Sequence, residues 1–200
     1  MAAETERTFL FVLGSTRPDG NTEQLTRRAA ERLPAGVRQE WTDLRQLALP
    51  EFADLRHTGD GTHPAPEGDA KRLLDATLGA TDVVIATPLY WYSFSTPVKH
   101  YLDHWTGWMR VPGLDFKERM AGKTLWGVSV LAEEDRSVAD PLHAALRHTA
   151  SYMEMRWGGL LLGNGSAPGQ VLADASALAE AAEFFAREPV GTAGAAVAAG

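Results

Sequence analysis

Two short polar stretches of this sequence carry side chains suited to holding an anion and a flat ring. The first, residues 14–22, reads Gly-Ser-Thr-Arg-Pro-Asp-Gly-Asn-Thr. Hydroxyl and amide groups in such a loop donate hydrogen bonds, and Arg17 adds a planar cationic fork that fits phosphate oxygens. The side chains that we expect at the anion are Ser15, Thr16, Arg17, Asn21 and Thr22.

The sequence around this loop predicts how the loop is held. Phe9 to Leu13 form an apolar block typical of a strand buried on both faces of a parallel sheet. A helical pattern follows the loop, with Asn21 and Gln24 spaced as in a capping box. The free N–H groups and positive dipole at the start of a helix stabilise an anion without a lysine. The pattern therefore predicts a phosphate-binding loop, with a turn that merely connects strand to helix as the alternative.

The second stretch, residues 87–97, reads Thr-Pro-Leu-Tyr-Trp-Tyr-Ser-Phe-Ser-Thr-Pro and follows another apolar block, Val83 to Ala86. Three aromatics in a row cannot all enter one core, because successive residues point in different directions. They could instead hold a planar heteroaromatic ring, with loop N–H groups at its polar edge. Packing under a loop or across a subunit interface is the alternative. The residues expected at the ring are Pro88, Leu89, Tyr90, Trp91, Tyr92 and Ser93.

Composition narrows the class of protein. The chain has 200 residues, 44% of them apolar and 22% charged, which suits one soluble globular domain. We expect that domain to cover residues 1–188 and the Ala/Gly-rich residues 189–200 to form a disordered tail. The net charge of −7 argues against binding nucleic acid or an anionic membrane surface.

Localisation and redox chemistry are also constrained. No apolar stretch reaches the roughly 20 residues needed to span a bilayer, and the first residues do not resemble a secretory signal, so we expect a cytoplasmic protein. The absence of cysteine excludes disulfides, thiol nucleophiles and thiolate metal sites. Any redox chemistry must therefore use a bound organic cofactor, or a metal held by other ligands.

Strand and helix patterns alternate five times along the chain. This alternation predicts an α/β fold in which helices cover both faces of a five-stranded parallel sheet, a three-layer α/β/α sandwich. Ligands of such sheets bind at the carboxyl ends of the strands, where the strand order reverses. Both polar stretches leave strands that would flank this point. The expected strands are 9–13, 37–44, 83–86, 124–131 and 157–162, and the main helices begin near 21, 69, 95, 140 and 174.

The two stretches together resemble motifs of the NAD(P)H-dependent FMN reductase family of the flavodoxin-like superfold. Residues 14–22 are similar to that family's G-S-x-R…G-N-T loop. Residues 87–93, followed by Pro97, Lys99 and Asp103, are similar to its T-P-x-Y-x-x-S…K…D segment. The order and spacing of both motifs fit, and the resemblance extends over about residues 8–187.

The resemblance implies a strand order of 2-1-3-4-5, one FMN per subunit, and NADPH or NADH as co-substrate. It implies that Ser15, Arg17, Asn21 and Thr22 bind the FMN phosphate, that residues 88–93 bind the isoalloxazine, and that no separate acid or base is required. It also implies a homodimer and a small acceptor, such as a quinone, free flavin, nitro or azo compound. If NAD(P)H and the acceptor use the same open face of the flavin ring in turn, the kinetics should be ping-pong.

One departure from the family pattern concerns the third wall of the site. Residues 131–135, Leu-Ala-Glu-Glu-Asp, stand where the family often has a glycine-rich loop. A surplus of aromatic residues on the second stretch and the helix after it supports the dimer. These aromatics are Tyr90, Trp91, Tyr92, Phe94, Trp105 and Trp108.

Two alternatives stay open. A flavodoxin-type electron carrier would share the fold, the FMN and the acidity, but would pass single electrons to a protein partner. A metal site could use His100 and His104, one helical turn apart, with Asp103 between them. No third ligand is evident, so we interpret these histidines as a polar helix face or a subunit contact and expect no metal.

Overall fold

The computed structural model describes residues 7–191, which form one mixed sheet between two layers of helices. Its strands are β1 Thr8–Leu13, β2 Arg38–Asp43, β3 Asp82–Ala86, β4 Thr124–Leu131, β5 Arg156–Asn164 and β6 Val190–Gly191. Its helices are α1 Asn21–Ala30, α2 Gly68–Gly79, α3 Thr96–Trp108, α4 Phe116–Met120, α5 Asp140–Tyr152 and α6 Ala175–Glu183. None of the helices in the described part of the chain has the length and apolarity needed to cross a bilayer.

The sheet order is β2-β1-β3-β4-β5-β6. The first five strands of that order pair in parallel, and β6 pairs antiparallel to β5. The α/β class predicted from the sequence is confirmed. The prediction of a five-stranded, entirely parallel sheet in the order 2-1-3-4-5 is wrong, because Val190 and Gly191 form a sixth strand that pairs antiparallel with Trp157 and Arg156 at the edge. Two residues give no periodicity that a sequence pattern could reveal.

The C-terminal tail was expected to begin at residue 189, and the strand β6 lies within its first residues. Residues 192–200, on which most of that prediction falls, lie outside the described residues. The single-domain boundary at residue 188 stays a prediction. The edge of the sheet beside β5 is therefore formed by a strand that the apolar pattern does not predict.

Strand β1 divides its side chains between two cores, as its uninterrupted apolar sequence predicts. Leu10 and Val12 lie in the core under α2, α3 and α5. Phe9 and Phe11 lie in the opposite core, under α1 and α6. Since both faces of the strand are covered, its carboxyl end is fixed in position, and the polar loop that follows begins from a rigid support.

A buried junction joins the loop after β1 to the loop after β3. The Gly14 N–H donates to the Ala86 carbonyl at 2.8 Å, and the Ser95 hydroxyl donates to the Gly14 carbonyl at 2.6 Å. The Ser95 N–H in turn donates to the Thr87 hydroxyl at 2.9 Å. The two polar stretches are therefore held together by buried hydrogen bonds at the start of α3.

Gly14 is required at this junction because no side chain fits there. A Cβ at Gly14 would lie 2.1 Å from a methyl of Val98, far inside van der Waals contact. Replacing Gly14 with Ala should lower the free energy of unfolding by about 1–3 kcal/mol, the usual cost of overpacking. Urea denaturation measures this. The control Gly36→Ala, where an added Cβ meets nothing within 4 Å, should change stability by less than about 0.5 kcal/mol. Equal effects of the two substitutions would contradict the steric account.

Candidate functional site

A cavity of about 170 Å³ opens at the carboxyl ends of β1, β3, β4 and β5. It brings together the two polar stretches that the sequence singles out. The first stretch contributes four of the predicted residues and the second contributes three. The predicted residues that line it are Ser15, Arg17, Asn21, Thr22, Pro88, Leu89 and Tyr90.

The first stretch presents several unused hydrogen-bond donors to this cavity. Among the described hydrogen bonds, none uses the backbone N–H of Ser15, Asn21 or Thr22. The Arg17 side chain is exposed and makes neither a hydrogen bond nor an ion pair with any described residue. Free N–H groups at the start of α1, next to an unpaired guanidinium, form a site for a phosphate-like anion.

Asn21 lies at the cavity, but its side chain does not cap α1 as the sequence suggests. The cap position is Gly20, with extended backbone and no side-chain hydrogen bond. The Asn21 amide instead donates to the carbonyls of Gly165 and Ala167, at 3.0 and 2.9 Å. The capping-box prediction is therefore wrong, since Gln24 also turns away and donates to the Asp19 carbonyl at 2.7 Å. The amide of Asn21 ties the loop after β5 to the first stretch.

Glu23, which the sequence analysis does not single out, stabilises the conformation of the first stretch. Its carboxylate accepts a hydrogen bond from the Asp19 N–H at 3.2 Å and pairs with Arg27 at 2.7 Å. Asp19 has a φ of 50°, in the left-handed region. The Glu23 carboxylate is thus occupied by partners on its own loop and helix. The spacing of Glu23 and Arg27, one helical turn, is the sequence feature that indicates this pair.

The second stretch forms a tight turn around two exposed aromatic residues. Tyr90 and Ser93 exchange two backbone hydrogen bonds, at 3.2 and 3.0 Å. Trp91 and Tyr92 between them have φ angles of 49° and 63°, a conformation that normally favours Gly or Asn. The Trp91 side chain is 93% exposed. A bulky, strained residue left in solvent is the kind of outlier that concentrates at binding sites.

The structure places only some of the predicted ring-binding residues at the cavity. Pro88 and Leu89 are half-buried in the cavity wall, and Tyr90 is partly exposed at its rim. Trp91, Tyr92 and Ser93 are exposed and do not line the cavity. Thr16 does not line it either, but its hydroxyl lies 3.3 Å from the Tyr90 hydroxyl and links the two stretches.

The third wall comes from residues that the sequence analysis did not assign. Val130 and Ala132, at the end of β4, and Gly165 and Ser166, after β5, complete the lining. The Asn164 amide donates to the Glu133 carbonyl at 2.6 Å and connects these two loops. Ala132 lies within residues 131–135, which the family resemblance placed at this wall. For the loop after β5 the only sequence indication is that it follows a strand ending at the same edge of the sheet.

The two histidines of α3 share one acceptor. The Nε2 atoms of His100 and His104 lie 2.9 and 3.0 Å from the Pro50 carbonyl, so each ring donates to that oxygen. Burial, and then the nearby His100, lower the pKa of His104, which favours its neutral form. Both side chains therefore anchor the long segment after β2, and no third metal ligand was found near them among residues 7–191.

The fold and the site define a cofactor-binding α/β protein of the flavodoxin-like class. A family model described as NADPH-dependent FMN reductase matches residues 8–158, and the chain belongs to that family. A relative from Bacillus subtilis (strain 168), YwqN, named as an NAD(P)H-dependent FMN-containing oxidoreductase, is 30% identical over 175 residues. The match covers 87% of this chain and 94% of the relative. The family assignment favours an enzyme over the electron-carrier alternative.

Solved structures show the same fold. A structure described as the Trp repressor binding protein from Bacillus subtilis is 25% identical with a TM-score of 0.70, covering 90% of this chain and 99% of its own. An FMN-dependent NADH-azoreductase from Bacillus anthracis str. Ames Ancestor, in complex with FMN, has a TM-score of 0.63 at 14% identity. It covers 92% of this chain and 99% of its own, and at this identity it supports the fold alone.

The residues of the cavity fit FMN, the family's cofactor. A Cβ at Gly20 would lie 2.9 Å from the Ser15 hydroxyl, so glycine at this position leaves that hydroxyl room at the cavity. Unused N–H groups and Arg17 supply donors at one end, and half-buried Pro88 and Leu89 supply apolar contact at the other. This polarity, from an anionic end to an apolar end, matches a phosphorylated ring compound.

Proposed function

We propose that this FMN-dependent NAD(P)H oxidoreductase reduces a small acceptor, such as a quinone, free flavin, nitro or azo compound. The observation that carries the proposal is that one cavity is lined both by the first stretch, in which Arg17 and the N–H groups of residues 15, 21 and 22 have no partner among the described residues, and by the apolar and aromatic second stretch. FMN bound there supplies the hydride chemistry. The polypeptide then has to bind, orient and shield the reactants, and most of its rate enhancement is positional.

We assign the phosphate to Ser15, Arg17 and Thr22, together with the backbone N–H groups of residues 21 and 22. The ring is assigned to the second stretch, with Pro88, Leu89 and Tyr90 in contact and residues 91–93 forming the rim. Thr16 acts through Tyr90, because its hydroxyl lies 3.3 Å from the phenol oxygen and can fix that side chain. Asn21 acts through the backbone that its side chain holds.

The phosphate assignment predicts different effects for Arg17 and Asn21. Arg17→Ala should weaken FMN binding by at least about 1 kcal/mol, the scale of a hydrogen bond to a charged group, with little change in stability. Asn21→Ala should weaken FMN binding similarly and also lower the free energy of unfolding by about 1–3 kcal/mol, because the buried Gly165 carbonyl loses its donor.

Fluorescence titration with FMN and urea denaturation measure the two quantities separately. Arg28→Ala is the matched control, since Arg28 is an exposed arginine of α1 paired with Glu31 and remote from the cavity lining. An Arg17→Ala protein that retains full FMN affinity would refute the assignment.

The exposure of the Tyr90–Ser93 turn supports a proposal for the kinetic scheme. Val130 and Ala132 line the cavity on the β4 side, while the Tyr90–Ser93 turn faces solvent. We propose that NAD(P)H and the acceptor use this solvent side in turn, which is a ping-pong scheme. Initial rates over a grid of NAD(P)H and quinone concentrations should give parallel double-reciprocal lines. Tyr90→Ala should lower kcat/KM for both substrates, and intersecting lines would reveal a ternary complex instead.

We also propose a homodimer whose interface buries the Trp91 side chain and closes part of the flavin pocket, while the rim at Tyr90 stays open to the substrates. Trp105 and Trp108 do not support it as the sequence suggested, since both are buried in the core under α3. The support comes from Trp91, which combines full exposure with a positive φ.

Sedimentation equilibrium at micromolar concentration tests the dimer directly. Trp91→Asn keeps a residue that tolerates positive φ but removes the aromatic surface, so dissociation should increase by at least about tenfold. The control Tyr152→Asn removes an exposed aromatic of α5 and should leave the mass unchanged. A monomeric wild-type protein would overturn the proposal.

A further inference from the structure

A second cavity lies next to the candidate site, on the other side of Thr16. Its volume is about 330 Å³, and it is formed between the segment after β2 and the first turn of α3. Aliphatic side chains make up most of one side, and a proline and a histidine make up the other. The lining residues that matter here are Leu44, Leu47, Leu49, Pro97 and His100.

The lining is mainly apolar, because four of its seven residues are leucine or proline, and its polar members are Thr16, Thr96 and His100. None of the residues that line it is Asp, Glu, Lys or Arg. The Nε2 of His100 already donates to the Pro50 carbonyl, so that polar edge is occupied. Leu47 and Leu49 are only half-buried, which leaves apolar surface open to a ligand. Such a cavity favours hydrocarbon and disfavours a charged group, which would lose its hydration without gaining a partner.

The linings of this cavity and of the candidate FMN site contact each other through a pair of side chains. Thr16 lines the second cavity, and Tyr90 lines the first. Their hydroxyls are 3.3 Å apart, at the long end of the hydrogen-bond range, and both side chains are exposed. A ligand at the rim of the first cavity can therefore extend past Tyr90 into the second.

We infer that the second cavity binds an uncharged hydrocarbon substituent of the electron acceptor. The acceptor is accordingly a quinone with an alkyl or isoprenoid side chain, rather than a sulfonated azo dye. This inference rests on the proposed function. In the overall reaction, NAD(P)H, one proton and the quinone give NAD(P)+ and the hydroquinone. The diphosphate of NAD(P)H is a poor occupant, because no cation lines the cavity.

A pair of quinones tests the inference on the FMN-loaded enzyme. The probes are 2,3-dimethoxy-5-methyl-1,4-benzoquinone and its 6-decyl derivative. Since burial of each methylene contributes a factor of about four, the decyl compound should have at least about tenfold higher kcat/KM. Leu47→Gln should abolish most of this ratio, and Leu49→Gln is a second variant in case the first is unstable.

The control is Leu172→Gln, which alters an exposed leucine outside the lining of both cavities and should keep the wild-type ratio. A wild-type ratio within about twofold of one, or a ratio that Leu47→Gln and Leu49→Gln leave unchanged, would overturn the inference. A sulfonated azo dye reduced as efficiently as the decyl quinone would also count against it.

Binding measured without turnover separates this inference from the proposed function. Calorimetric titration with 4-hexylphenol and phenol should show at least about tenfold tighter binding of the hexyl compound, and Leu47→Gln should remove the difference. If NAD(P)H is oxidised but no hexyl preference exists, the inference fails and the proposed function stands. If no NAD(P)H is oxidised but the Leu47-dependent preference is present, the proposed function fails and the hydrocarbon site remains.

Discussion

Two buried hydroxyl groups determine how the rest of the site is placed. Thr87 and Ser95 are fully buried, and their hydrogen bonds join the ends of β1 and β3 to the start of α3. An unpaired polar group at such a position costs about 1–3 kcal/mol, so the junction tolerates few other arrangements. Because Gly14 begins the first stretch and Thr87 and Ser95 lie in the second, these buried hydrogen bonds fix the relative position of the two stretches.

Rigidity at this junction coexists with strain a few residues away. Trp91 and Tyr92 adopt positive φ angles that cost on the order of 1–2 kcal/mol each for bulky residues. Two backbone hydrogen bonds between Tyr90 and Ser93 close the turn, and buried segments flank it. The surrounding structure therefore forces an aromatic surface into solvent, where only a ligand or a second subunit could compensate by burying it.

The local sequence pattern was sufficient to predict those features that depend on residues close together in the chain. The boundaries of β4 match the predicted 124–131 because the strand is mostly apolar and is buried throughout. Seven of the predicted site residues meet in one cavity because they follow strands that end at the same edge. The roles of Asn21, Val130 and Ala132 depend instead on partners far away in sequence. The carbonyl that Asn21 binds at Gly165 is 144 positions away, and no spacing rule reaches that distance.

The electrostatics of the site also depend on short-range groups. The chain carries a net charge of −7, which opposes the approach of an anionic cofactor. At physiological ionic strength this opposition is screened beyond about 8 Å, whereas N–H groups and a guanidinium act at hydrogen-bond distance. Glu23, the buried carboxylate closest in sequence to the unused donors, already pairs with Arg27 and the Asp19 N–H. Its charge is thereby compensated within the loop and helix. Arg17, by contrast, is left unpaired, so an acidic protein can still offer a phosphate a locally positive site.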